Sequence, residues 1–443
     1  MLKRLESYFE FASHLPLRLP RLNLPRAVYW LAALAVVLRL VGRFFYGGVA
    51  GFWSTGYYFF FEMAESIAHG RGITQGGPPV GFRVPLYPIL LAGVTLGHHS
   101  FWSIAIFQSI VGGAIAICAA LLACRMFRGS AADKAATLAA AMVAVYPYYV
   151  FHDTALQETS VFTLFTLVVV LELDQTARSG RIANGAMAGL MLGLDVLTRA
   201  TIAPFAALAP LWLLWRRRAR AGVVCAVLAA ATVAPWILRN WVVMGVPTLS
   251  TETGIEFWTG NNGYLFRAYP ERISDDSKSE ALASLPPQDM KVLLKLQDNK
   301  AMADRWFLHK GLEYIRSHPR QTIIDGFRKN AAAFGWMPSP RRGTLHDLAD
   351  FLSYGPVMVL GLWGMWRRRA RWREDSAIYL LFALFMLVTA VFWAQTTHRA
   401  HLDVYWMVFG AGALAETVLV RRRHPFSTKS SGSPPLSTSS SGK

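Results

Sequence analysis

Apolar residues fall in long blocks along this chain, separated by short polar runs that are rich in arginine. The blocks are Ala27–Gly47, Phe101–Cys124, Ala135–Val150, Glu158–Leu173, Ala183–Leu197, Thr201–Trp215, Ala221–Leu238, Phe351–Trp366, Ala377–Ala394 and Leu402–Val420. A helix needs about 20 apolar residues to cross a bilayer, so the pattern predicts about ten transmembrane helices. Leu86–Leu96 is apolar but short; Pro85 opens it and His98-His99 closes it. It is expected to dip into the outer leaflet without spanning.

The positive charges set the sides. With Leu86–Leu96 left out of the count, the runs at Arg125–Lys134, Arg178–Arg181, Arg216–Arg220, Arg367–Arg373 and Arg421–Arg423 all land on one face. That is the cytoplasmic face by the positive-inside rule. The expected organisation is a cytoplasmic segment 1–26, a first span 27–47 and a first outer loop 48–100 with interfacial helices. A helix bundle 101–238, a long outer loop 239–350, the last spans 351–420 and a Ser/Pro/Gly-rich cytoplasmic tail 421–443 follow. Within the long loop, Ala301–Ser317 has helical apolar spacing through Trp306, Phe307, Leu312 and Ile315 and ends before Pro319. Such a helix is expected to lie on the membrane and cover the site. No cleavable leader is recognisable; the first apolar run reads as an anchor.

Composition agrees with a membrane protein. Of 443 residues, 53% are hydrophobic and 16% charged, against about a quarter charged in soluble domains. The net charge of +18 would suggest nucleic acid in a soluble protein, but here it follows from the arginines that flank the spans. Cys118, Cys124 and Cys225 lie in apolar runs without metal spacing and read as packing residues.

Ionisable residues at membrane depth are costly and usually face a cavity or each other. Here the unusual polar residues near membrane depth gather at the outer ends of the spans: Glu62 and Arg83; His152, Asp153 and Glu158; Asp195 and Arg199; Arg239, Asn240, Asn261 and Asn262; His398, Arg399 and His401. Five loops are thus expected to build one outward polar cavity. It would hold carboxylates suited to general-base work and arginines suited to a phosphate, which favours group transfer with a phosphate leaving group. Blander roles compete residue by residue. Arg199 sits four residues after Asp195, a helical ion-pair spacing. Asp153 could cap a helix, and Asn261-Asn262 could shape a turn. His398 and His401 have the spacing of a metal pair but no third ligand close by, so no metal or other cofactor is assigned.

The motifs in order carry a resemblance. Ala64-Glu65-Ser66-Ile67-Ala68-His69-Gly70-Arg71-Gly72 with Arg83-Val84-Pro85-Leu86-Tyr87-Pro88 resembles the first outer loop of GT-C fold membrane glycosyltransferases of the family 39 type. These include the protein O-mannosyltransferases and the lipid A aminoarabinose transferases. Leu156-Gln157-Glu158-Thr159, Leu197-Thr198-Arg199, Pro235–Trp241, Trp258–Asn262 and Thr397-His398-Arg399 continue the similarity. The resemblance implies an all-α polytopic fold. It also implies inverting transfer of a sugar from a polyprenyl-phosphate carrier to a lipid, glycan or protein acceptor, outside a bacterial cytoplasmic (inner) membrane. It places an outer-loop carboxylate as base, with Arg83, Tyr87, Arg199, Arg239, Asn261, Asn262, His398 and Arg399 around the substrate. One departure matters. The Asp expected near Gly56 or Tyr57 is absent, which leaves Glu62, Asp153 or Glu158 for the base. Two other classes compete: a transporter or flippase for an anionic lipid-linked sugar, and a non-catalytic lipid-binding scaffold.

Overall fold

In the computed structural model each predicted apolar stretch is largely helical, although the one predicted over Ala135–Val150 breaks at the extended Tyr146 into two helices. Residues 24–45, 48–55, 57–267, 274–296, 299–335, 343–393 and 396–423 are described; the expected cytoplasmic arm before residue 24 and the tail after 423 lie outside them. After α1 (Arg26–Phe45) come α2 (Gly48–Thr55), α3 (Phe59–Ala68) and α4 (Leu86–Thr95). The bundle continues with α5 (Phe101–Met126), α6 (Ser130–Val145), α7 (Pro147–His152), α8 (Thr159–Ser179), α9 (Ile182–Thr198), α10 (Ala203–Trp215) and α11 (Ala219–Met244). The long loop folds into α12 (Thr253–Thr259), α13 (Ser274–Ala283), α14 (Pro287–Leu296), α15 (Lys300–Ser317) and α16 (Pro319–Ala333). The chain ends with α17 (Gly343–Arg367), α18 (Ser376–Val391) and α19 (Ala400–Arg423).

Among the described residues, α1, α5, α8 and α11 are long and apolar enough to cross a membrane on length and composition alone; α4, α9, α10 and α18 are shorter apolar helices. At 1.5 Å per residue the ten residues of α4 rise only about 15 Å, half a hydrocarbon core, as its length in the sequence implies.

Small residues let the helices approach closely. Gly185, Gly189 and Gly193 recur every fourth residue along α9 and face Ala221, Cys225 and Thr232 of α11; a Cβ on Gly189 would stand 2.3 Å from the Cys225 carbonyl oxygen. Such small-residue stripes drive helix packing where no water is present to do so.

The two ends of the bundle differ. At one end the basic loops touch each other: Arg178 donates to the Arg125 carbonyl at 3.2 Å, Arg218 to the Ala177 carbonyl at 2.9 Å, and Arg368 to the Met126 carbonyl at 2.6 Å. At the other end the loop before α4, the turn before α8, the end of α9 and the start of the long loop converge.

Candidate active site

At that second end lies a cavity of about 380 Å³. Its lining includes the charged or titratable Arg83, Glu158, Arg199, Glu252, Glu256 and His398; Tyr57, Phe60, Phe82, Phe392 and Trp393 give its aromatic wall. A helix terminus or sharp turn supplies most of the polar groups. Glu158 is the residue before the first turn of α8, where the helix dipole favours an anion. Arg199 follows the last turn of α9 in an extended conformation, φ −151° and ψ 116°, so its side chain leaves the helix surface and crosses to Glu158. The guanidinium meets the Glu158 carboxylate at 2.8 Å and also donates to Thr159 Oγ1 at 3.3 Å. Arg83 pairs with Glu252 of the long loop at 2.8 Å. His398 sits on the 3-10 turn Thr396–Arg399. It is shared with a smaller apolar cavity of about 30 Å³ between Phe162, Phe205, Leu381 and Phe385.

The electrostatics distinguish the groups. Burial works against the Glu158 carboxylate, yet the Arg199 guanidinium, its own helix start and Arg83 hold it below the usual carboxylate range. Glu158 Oε1 takes the arginine, whereas Oε2 is buried without a hydrogen-bond partner. An unsatisfied buried carboxylate oxygen is costly, and here it belongs to a cavity-lining residue. Burial first, and then Arg199, push His398 down to about 3. It is therefore neutral at physiological pH. Burial raises Glu252, partly offset by Arg83.

Several predicted residues stand elsewhere. Asp153 is fully buried and pairs with Arg39 of α1 at 2.8 Å. Glu62 accepts from Gln75 Nε2 at 3.2 Å outside the cavity lining. Tyr87 is buried and accepts from Gln108 at 3.1 Å. Arg239 donates to the Val80 carbonyl at 2.8 Å and tethers the first outer loop to α11. Asn261 donates to the Val391 carbonyl at 2.7 Å, and Asn262 accepts from the Tyr264 N–H at 2.8 Å. Arg399 Nη1 donates to both carboxylate oxygens of Asp403, at 2.9 and 2.7 Å, away from the cavity lining. His401 bonds the His398 carbonyl at 2.9 Å, and among the described residues no cluster of three metal-ligating side chains occurs.

The expected cover is also displaced by one layer. The helix predicted at Ala301–Ser317 forms as α15, but it backs α12 and contributes nothing to the cavity lining. Asp304 Oδ1 caps α12 by accepting from Gly254 and Ile255 at 2.7 and 3.0 Å, and Phe307 packs on Trp258. The apolar face read as membrane-facing is spent on α12, which itself carries Glu256 to the cavity. Sequence reasoning missed Glu252 and Glu256. Their i,i+4 spacing just past the end of a span was the available signal.

The fold and site define a polytopic helical membrane protein with a polar chamber at the end remote from the arginine loops. The profile of the dolichyl-phosphate-mannose-protein mannosyltransferase family matches residues 83–241. That stretch carries Arg83, Glu158 and Arg199. The chain superposes on the crystal structure of the Archaeoglobus fulgidus oligosaccharyltransferase in complex with zinc and sulfate. The TM-score is 0.50 at 16% identity, over 90% of this chain and 49% of that one. A second structure of that enzyme, tethered to an acceptor peptide containing the NVT sequon, aligns with TM-score 0.47 and 14% identity over 89% of this chain and 50% of that one. This chain thus spans about half the length of that protein. Comparison with curated proteins gives no match. The family match over residues 83–241 and the superposition agree on the fold: this chain is a multi-pass helical membrane protein similar in fold to GT-C glycosyltransferases.

Proposed function

We propose that this protein moves a sugar from a polyprenyl-phosphate carrier to a lipid, glycan or protein acceptor on the outer face of a bacterial cytoplasmic membrane. The observation that supports this most is the pairing of Glu158 and Arg199 in one chamber, with Glu158 Oε2 left unpartnered. Glu158 is the base in this reading. It takes the proton of an acceptor hydroxyl, the hydroxyl oxygen forms a bond to the sugar's anomeric carbon, and the bond from that carbon to the phosphate oxygen breaks. The phosphate leaves with its electron pair and is held by Arg199 and Arg83.

A lowered pKa makes Glu158 a weak base at rest. A donor phosphate that engages Arg199 draws that guanidinium away from the carboxylate, and the basicity of Glu158 rises when the substrate is in place. Asp153 has no place in this scheme because Arg39 occupies it, and Glu62 faces outside the chamber. His398 orients substrate as a neutral hydrogen-bonding group.

Native mass spectrometry of gently purified protein tests the donor. A polyprenyl phosphate is expected to co-purify and to be weakened in an Arg83→Ala, Arg199→Ala variant. Its absence from wild type prepared from membranes that contain it removes the donor class. Sidedness is checked separately by labelling single cysteines: position 217 is expected to react from the cytoplasmic side and position 280 from outside. The reverse pattern overturns the orientation.

A further inference from the structure

The basic end of the bundle carries more than scattered arginines. Two loops far apart in sequence, after α10 and after α17, are fastened together there. Arg216 donates to the Arg373 carbonyl, Trp212 Nε1 donates to Ser376 Oγ at 2.8 Å, and the rings of Trp215 and Trp372 lie 6.0 Å apart. Arg368 is buried and anchors the second loop, with a bidentate pair to Asp375 at 2.8 Å on each arm and a bond to the Met126 carbonyl. The acids of this loop are turned to Arg368: Asp375 pairs with it, and Glu374 lies 4.0 Å from it.

What is left facing outward is cationic and aromatic. Arg217, Arg369, Arg371 and Arg373 are exposed, and among the described residues no carboxylate pairs with any of them. Arg369 lies over Trp366 at 4.5 Å and Arg373 over Trp372 at 5.5 Å. Trp215, Trp366 and Trp372 are exposed large rings. Tryptophan at this level of a membrane protein marks the headgroup region, and fixed guanidinium groups beside it suit phosphate.

Arg217 adds an independent sign. Its φ is +59°, in the left-handed region that favours glycine. The turn closing α10 runs through it: Arg217 N–H bonds the Leu214 carbonyl and Arg218 N–H the Leu213 carbonyl, both at 2.8 Å. Glycine would close this turn more easily. Strain kept in a non-glycine residue tends to mark function, and the side chain it presents is one of the unpaired cations.

We infer that these two loops form a binding site for the phosphate headgroup of an anionic phospholipid of the adjoining leaflet. The site rests on the membrane reading of the fold and is independent of the transfer chemistry. Its readout is lipid retention, so its failure leaves the donor assignment untouched.

The test is native mass spectrometry and lipid titration in nanodiscs, with phosphatidylglycerol against phosphatidylcholine of the same chains. Wild type is expected to retain phosphatidylglycerol selectively. The Arg217→Gln, Arg371→Gln variant is expected to weaken it roughly 30-fold, from two phosphate-facing cations. An Arg128→Gln, Arg181→Gln variant removes the same charge from the same end and is expected to retain it. Arg217→Gly separates the lipid role from a folding role: thermal stability in neutral detergent is held or raised while anionic-lipid retention falls. Equal retention of the two lipids by wild type overturns the inference. So does an equal loss in both double variants, which would mean general basicity. An Arg217→Gly protein that loses stability but keeps its lipid has the same consequence.

Discussion

Glu158→Gln is expected to lower sugar transfer by roughly 10²–10⁴-fold, the usual contribution of a general base, while donor-phosphate binding is retained. The amide keeps the shape of the side chain and its contact with Arg199 but cannot accept a proton. Because Arg199 loses its counter-ion, the single variant also loses some stability, about 1–3 kcal/mol for an unmatched charged hydrogen bond. A Glu158→Gln, Arg199→Gln double variant tells the roles apart. Removing both charges restores stability if the pair braces α8 against α9; donor-phosphate binding, kept in Glu158→Gln and lost in the double variant, then separates the role of Arg199 from that of the base. The pH profile carries a second check. Arg199 depresses the Glu158 carboxyl, so the ionised form persists and activity is lost only as pH falls through that depressed value. Burial holds His398 neutral. Neither group then gives an inflection in kcat/KM between about pH 5 and 8, where an ordinary histidine would titrate. Wild-type transfer by Glu158→Gln, or a histidine-like inflection abolished by His398→Gln, ends this assignment.

The helices and the chamber were legible from the sequence for different reasons. Blocks of apolar residues between arginine runs admit few arrangements other than helices in lipid. Arg83, Glu158, Arg199 and His398 stood out because each is polar beside an apolar run, and the structure gathers those four on one cavity. Partners were harder to read. Spacing paired Arg199 with Asp195, but α9 ends at Thr198 and the side chain of residue 199 no longer follows the helix. Asp195 instead accepts from Thr166 at 3.0 Å. The long loop was opaque for a similar reason. An amphipathic helix announces that one face is buried without saying against what, and α15 chose α12 over the membrane. Lys329 illustrates the limit. It is buried, bonds the Ala390 carbonyl at 3.0 Å and Asn261 Oδ1 at 3.3 Å, and burial pushes it down to about 8. A cation at the carbonyl end of α18 suits the helix dipole and holds the strand of chain that delivers Phe392 and Trp393 to the chamber. Nothing in local sequence pattern links residues 261, 329 and 390.

Asp153→Ala is expected to be the most destabilising single change among the candidate carboxylates, by about 3–5 kcal/mol, because it strands a buried guanidinium. Arg39 lies midway along α1 with its side chain fully enclosed. Among the described residues its other hydrogen bonds are to the carbonyls of Ala35 and Val143, at 3.2 and 3.3 Å. Gly112 of α5 makes the space: a Cβ there would stand 2.2 Å from Arg39 Nε. The pair therefore welds α1 to α5, α6 and the turn before α8. Replacing both charges, as Arg39→Met with Asp153→Leu, removes the desolvation cost along with the attraction and should return most of the stability. Transfer per folded molecule should be close to wild type in that double variant, since neither residue lines the chamber. Thermal unfolding in detergent and transfer normalised to folded protein check both halves. If the stabilised double variant is inactive, Asp153 reaches the chemistry, and the base must be sought there instead of at Glu158.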